Sequence, residues 1–190
     1  MEADAPVRDA ADLRLASRLR ERRQAKRWSL DELAAQSGVS RASLSRIENG
    51  EVSPTAHVLG RLAHAYGETI SRLLAEIEAP SAAFVKRAEQ REWVDPATGF
   101  RRRNVSPPAP GFDCELLECD LPAGAEIDYP LPPRPDIEHH LYLMAGALEL
   151  MVEGVAHRLG AGDCLRYRLI GASRFRVPGR RPARYMLVVR

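Results

Sequence analysis

The tightest constraint on this chain is a pair of helix boundaries crowded between Ser29 and Gly50. Ser29-Leu30-Asp31-Glu32 sets a hydroxyl and a carboxylate three residues apart, the spacing of a capping box that satisfies free amides at a helix start. A helix therefore begins at Leu30. Gly38 follows Leu33, Ala34 and Ser37 where that helix should stop, because glycine enters the left-handed conformation of a C-cap without strain. Ser40 then caps a second helix running through Leu44 and Ile47, and Asn49-Gly50 ends it. The product is two short helices joined by a turn of about three or four residues. Ala34 is small enough for the helices to approach closely at the bend. Val39, Leu44 and Ile47 give the second helix one apolar stripe, leaving Arg41, Ala42, Ser45 and Arg46 on its other face. Those groups suit the edges of a DNA major groove: guanidinium forks match guanine O6 and N7, hydroxyls donate or accept, and a methyl meets thymine.

The periodicity changes partway along the chain. Helical spacing recurs in Leu15 and Leu19, in Leu59, Leu62, Ala63 and Tyr66, and in Ile70, Leu73 and Leu74. From Asn104 onward prolines recur, and runs such as Cys114 to Leu121 and Leu141 to Val152 alternate, with Leu148, Leu150 and Val152 set against Ala147, Glu149 and Met151. Glycines 124, 146, 154, 160 and 162 punctuate them, as in a β-sandwich or barrel. The expected division is a helical domain over 9–78, a linker with a first strand at Phe84 to Ala88 over 79–108, and a β domain over 109–190. A chain of 190 residues has room for two such units.

Composition excludes several classes. Hydrophobic residues at 45% and charged ones at 28% rule out a disordered or fibrous chain. No apolar run reaches the roughly 18 residues of a membrane span. The acidic start, Met1-Glu2-Ala3-Asp4-Ala5-Pro6, has neither the basic nor the apolar region of a secretory signal, so a cytoplasmic protein is expected. Cys114, Cys119 and Cys164 are then expected as reduced thiols in buried or half-buried strands, and Cys114-x4-Cys119 lacks the second pair a zinc site needs. A net charge of only +2 argues against indiscriminate nucleic-acid coating; affinity for DNA would come from a few placed contacts.

The run Leu19-Arg20-x-x-Arg23-x4-Trp28-Ser29-Leu30-Asp31-Glu32-Leu33-Ala34-x-x-Ser37-Gly38-Val39-Ser40-x-x-x-Leu44-Ser45-Arg46-Ile47-Glu48-Asn49-Gly50-x3-Pro54-Thr55 closely resembles the phage-repressor-like, or XRE-type, helix-turn-helix family. The resemblance covers about residues 13 to 76. It implies an all-α, five-helix DNA-binding domain acting as a homodimer on a pseudo-palindromic operator. The recognition helix, Ser40 to Glu48, would lie in the major groove with Arg41, Ala42, Ser45 and Arg46 facing the bases. It also implies a pairing of Arg23 with Glu48 as a structural brace. Lys26 and Arg27 flank the Trp28-Ser29 turn, where the amino terminus of the next helix can hold a phosphate, so Lys26, Arg27, Ser29 and Ser40 join the expected DNA contacts.

The second half resembles a cupin, a small jelly-roll barrel. The likeness rests on His139-x6-Gly146, Leu141 to Leu150, Leu159-Gly160-Ala161-Gly162-Asp163-Cys164 and Ser173 to Gly179. Cupins often hold a metal with two histidines and a glutamate from one motif and a histidine from the other. Here those positions carry Pro133, Pro135, His139 and Ser173, and a stable site wants three or four ligands, so no metal and no cofactor are expected. His139 and His140 are adjacent and point to opposite strand faces, His139 inward. Alternation then places Leu141, Leu143, Ser173 and Phe175 beside His139 in an apolar pocket for a small molecule. Arg174 and Arg176 point outward.

The sequence thus predicts a two-domain regulator of transcription, not an enzyme: an all-α helix-turn-helix domain plus an all-β cupin-like jelly-roll barrel that senses a small-molecule effector, dimerises, or both. A cupin metalloenzyme carrying a DNA-binding module and an antitoxin-type regulator with a protein partner are the alternatives.

Overall fold

The computed structural model describes residues 10–74, 83–109 and 112–190. The expected domain limits at residues 9 and 78 fall outside them. Five helices come first: α1 (Ala10–Ala25), α2 (Leu30–Ser37), α3 (Arg41–Glu48), α4 (Ala56–Tyr66) and α5 (Ile70–Leu74). The Ser29 box is formed in both directions, with Glu32 N donating to Ser29 Oγ at 3.1 Å and Ser29 N donating to Glu32 Oε2 at 2.7 Å. Gly38 sits at φ 64°, and its amide closes α2 onto the Ala34 carbonyl. The Ser40 side chain caps α3. Leu15 and Leu19 of α1, Leu33 of α2 and Leu44 and Ile47 of α3 are buried, each worth about 1.5–3 kcal/mol against exposure.

Among the described residues, ten strands follow a 3-10 turn at Arg87–Glu89. They are β1 (Glu92–Val94), β2 (Arg101–Ser106), β3 (Glu115–Leu121), β4 (Glu126–Tyr129), β5 (Ile137–Ala145), β6 (Ala147–Val152), β7 (Val155–Gly160), β8 (Cys164–Leu169), β9 (Ser173–Arg176) and β10 (Ala183–Val189). One sheet has the order β1-β2-β3-β10-β5-β8, the other β4-β9-β6-β7. Every pairing is antiparallel. With β1 and β2 set aside, eight strands form two four-stranded sheets in which every neighbouring pair but β6 and β7 is non-consecutive, which is jelly-roll topology. Alternation fills the space between the sheets: Leu148, Leu150 and Val152 of β6 and Ala183, Tyr185, Leu187 and Val189 of β10 are buried, and their flanking residues are less so.

Three expectations need correcting. No strand forms at Phe84 to Ala88; Phe84 is exposed, the 3-10 turn follows, and the first strand is Glu92–Val94. The stretch expected as a linker contributes β1 and β2 to the larger sheet, because Arg101–Ser106 finds an open edge on β3. By internal contacts the chain divides at Pro54 and Thr55, so α4 and α5 pack with the β unit rather than standing apart from it. Of the cysteines, Cys119 is buried, while Cys114 and Cys164 lie exposed just before β3 and at the first residue of β8.

Candidate nucleic-acid interface and barrel cavity

In the first unit, α3 turns its apolar stripe inward and leaves a polar face open. Arg41, Ala42 and Arg46 are exposed and Ser45 is half-buried. Arg41 Nε lies 3.3 Å from Asp31 Oδ1, and Arg46 Nε lies 3.6 Å from Glu51 Oε2. Exposed pairs of this kind are worth about 0–1 kcal/mol, so a phosphate or base edge can displace either carboxylate. Ser40 is exposed, as are Ser29, Lys26 and Arg27 beside the start of α2. Lys26 Nζ lies 5.7 Å from the Trp28 ring centroid, within cation–π range. The expected DNA contacts are thus exposed or half-buried side chains between the end of α1 and the last turn of α3.

What holds α3 in place is a buried charge. Glu48 is 6% exposed, and its carboxylate takes both prongs of Arg23: Nε donates to Oε1 at 2.8 Å and Nη2 to Oε2 at 2.7 Å. Arg23 Nη1 also donates to the Trp28 carbonyl at 2.8 Å, tying α1 to the α2 entry. Arg20 adds a clamp that the sequence reading did not single out, donating from Nη2 to the Glu48 carbonyl at 2.8 Å and to Asn49 Oδ1 at 2.7 Å. A cation at a helix carboxyl terminus satisfies carbonyls left without helical partners.

The barrel holds a partly open cavity of about 60 Å³. His139, Ser173 and Phe175 line it. Leu141 and Leu143 are wholly buried on the same face of β5 but stand away from the lining. His139 Nδ1 lies 2.9 Å from Tyr167 Oη, and the two rings meet edge to face at 5.1 Å. Burial, helped by the Arg102 charge, pulls the His139 ring down to about 3, so it is neutral at ordinary pH. Burial likewise pushes the Cys119 thiol up to about 11 and holds the Tyr129 and Tyr185 hydroxyls protonated.

His140 sits on the opposite face, 2.8 Å from Glu138 Oε1. Arg174 and Arg176 are exposed and paired with Glu126, Asp128 and Glu149. Among the described residues no three histidine, cysteine or acidic side chains converge as metal ligands.

The sequence reading passed over Tyr167 and Arg102. Tyr167 was within reach, since Leu165, Tyr167 and Leu169 alternate with exposed Arg166 and Arg168. Arg102 carried no such signal, standing in the charged run Arg101-Arg102-Arg103. One part of the cavity wall comes from Gly60 of α4, Ile70 of α5 and Thr69 just before it. A Cβ on Gly60 would stand 2.6 Å from Tyr129 Cδ1, so only glycine admits that ring. His57 Nδ1 lies 3.1 Å from the Asp128 carbonyl and His64 Nδ1 2.6 Å from that of Pro132.

Residues 19–73 match the helix-turn-helix family HTH_3. The chain is 26% identical over 153 residues to the HTH-type transcriptional regulator SutR of Escherichia coli (strain K12), covering 80% of this chain and 81% of that protein. It also superposes on the crystal structure of an HTH_3 family transcriptional regulator from Vibrio cholerae with a TM-score of 0.77. The sequence identity there is 21%, over 94% of this chain and 95% of the other. That likeness extends through both halves of the fold. No described helix is long and apolar enough to cross a membrane.

Proposed function

From the helix-turn-helix domain that residues 19–73 carry, we propose that this protein is a sequence-specific, DNA-binding transcriptional regulator. It acts as a homodimer on a pseudo-palindromic operator, and its jelly-roll barrel receives a small-molecule effector. The observation that carries this reading is the α3 face. Arg41, Ala42, Ser45 and Arg46 stand together on a helix fixed from behind by the Arg23 and Glu48 pair, with only weak surface carboxylates to displace. SutR and the Vibrio cholerae protein are both described as transcriptional regulators, which supports the same reading.

In this scheme Arg41 and Arg46 read bases, Ser45 and Ala42 add a hydroxyl and a methyl, and Ser29, Ser40, Lys26 and Arg27 hold the phosphates that set the register. Two copies are needed because one short helix touches too few bases to select a site. Selection of binding sites from random duplexes, followed by gel shifts, tests the proposal. A single enriched two-fold symmetric site is the expected result; enrichment of nothing above background sinks it.

A further inference from the structure

The barrel cavity holds one fixed charge in a wall of neutral groups. Arg102 is 8% exposed and lines the cavity. Its Nη2 donates to Ser71 Oγ at 2.6 Å, and Ser71 is itself fully buried. Its Nε has no hydrogen-bond partner, and the guanidinium forms no ion pair among the described residues. Its neighbours on the same strand behave otherwise: Arg101 pairs with Glu92, and Arg103 with Glu92 and Glu118. Removing a guanidinium from water without a counter-ion costs several kcal/mol, and such groups in proteins are ordinarily paired. The titratable side chains that line the cavity with it do not supply the missing charge, since His139, Cys119, Tyr129 and Tyr185 are all held neutral by burial. The rest of the wall includes Phe100, Ile137, Phe175 and Leu187.

We infer that the barrel cavity is a binding site for a short-chain monocarboxylate, its carboxylate paired with Arg102 and its apolar tail lying against Ile137 and Phe175. A single guanidinium neutralises one negative charge, so a phosphate dianion would leave excess charge among apolar groups. A cavity volume of about 60 Å³ suits a tail of a few carbon atoms. His139 and Ser173 supply the polar contacts that orient the acid. This inference names the effector class and rests on the reading of the barrel as a receptor.

The test is calorimetry on the full chain with propanoate, butanoate, pentanoate and hexanoate, each set against its primary amide. At least one acid should bind ten or more times more tightly than its amide, and Arg102→Met should shrink that preference below about twofold. Arg102→Lys, which keeps a charge, should retain part of it. Should Arg102→Met fail to fold, the guanidinium proton resonances of the unaltered chain serve instead, shifting with the acid and not with the amide. If every acid binds no better than its amide, or if the preference survives Arg102→Met, the inference is overturned. Operator binding of the ligand-free protein is measured separately, so failure of the carboxylate reading leaves the DNA reading intact.

Discussion

Cutting the Arg23 and Glu48 pair should loosen the recognition helix, and the two ends of the pair should not cost the same. Glu48 has a side chain 4% exposed, and Arg23 one 15% exposed. Arg23→Met leaves the carboxylate almost dry, with Arg20 Nε at 3.8 Å as the one remaining paired cation among the described residues. Breaking a buried pair in this way costs about 3–5 kcal/mol. Glu48→Leu leaves Arg23 holding the Trp28 carbonyl and able to tilt toward solvent, so its cost should fall below that range. The double replacement removes both charges together and should recover much of the loss, giving a coupling energy of about 1–3 kcal/mol. The chain has two compact units, so a single denaturation midpoint would mix them. Hydrogen exchange at the amides of Leu44 to Asn49 reads the loss where it occurs, and 3 kcal/mol appears there as a rate increase of roughly a hundredfold. A cost under about 1 kcal/mol for Arg23→Met, or a double variant as unstable as the two single losses added, would refute the brace.

Arg41→Ala should weaken specific operator binding by about 1–3 kcal/mol per half-site while leaving nonspecific affinity nearly unchanged, as gel shifts on matched and scrambled duplexes would report. Gly60→Ala should destabilise the protein in urea melts although alanine is the better helix former by about 1 kcal/mol, because the added methyl meets the Tyr129 ring and overpacking costs about 1–3 kcal/mol. A stabilised Gly60→Ala would show that the ring moves aside freely. His139 titrates near 6.5 when unfolded and near 3 when folded, so only the unfolded chain takes up a proton between those values. Stability from this group is complete above pH 6.5 and falls on acidification by up to about 1.4 kcal/mol per pH unit; His139→Gln should flatten that part of the urea midpoint profile.

The helix-turn-helix was legible in the sequence because its boundaries are written in residues whose effect is local. Ser29, Glu32, Gly38 and Ser40 act on backbone groups within a few positions of themselves, and each does so in the structure. The barrel strands were legible for the same reason, through alternation and glycine turns. What was lost depended on contacts distant in sequence. Strand β2 reads as a charged connector because Arg101-Arg102-Arg103 declares no apolar face, yet β3 offers it an edge to pair with. Arg102 reads as solvated charge until the sheet carries it beneath α5, some thirty positions away in the chain. The allegiance of α4 could not be read either, since Gly60 looks like a weak point in a helix until Tyr129 is known to fill the gap.

That allegiance bears on how the proposed carboxylate would affect operator binding. Helices α4 and α5 lie inside the stretch that matches the helix-turn-helix family, yet their polar contacts run to the β strands and the loops between them. The Ala56 amide meets Asp95 at 3.1 Å, His64 meets the Pro132 carbonyl, Thr69 Oγ1 donates to Glu115 at 2.8 Å, and Ser71 accepts from Arg102. A carboxylate bound to Arg102 therefore shares a guanidinium with α5, with no intervening layer of side chains. By linkage, whatever the acid does to the hold of α5 on the barrel, that hold does to affinity for the acid. Couplings of this sort are typically about 1–3 kcal/mol, or 5- to 150-fold in affinity. An uncharged occupant of the same cavity leaves Arg102 and Ser71 as they were, and binding alone, without a difference between docked and released α5, shifts nothing. Under the proposed carboxylate reading, the charge on Arg102, rather than the volume of the cavity, is thus the feature that would let the barrel report on what it holds.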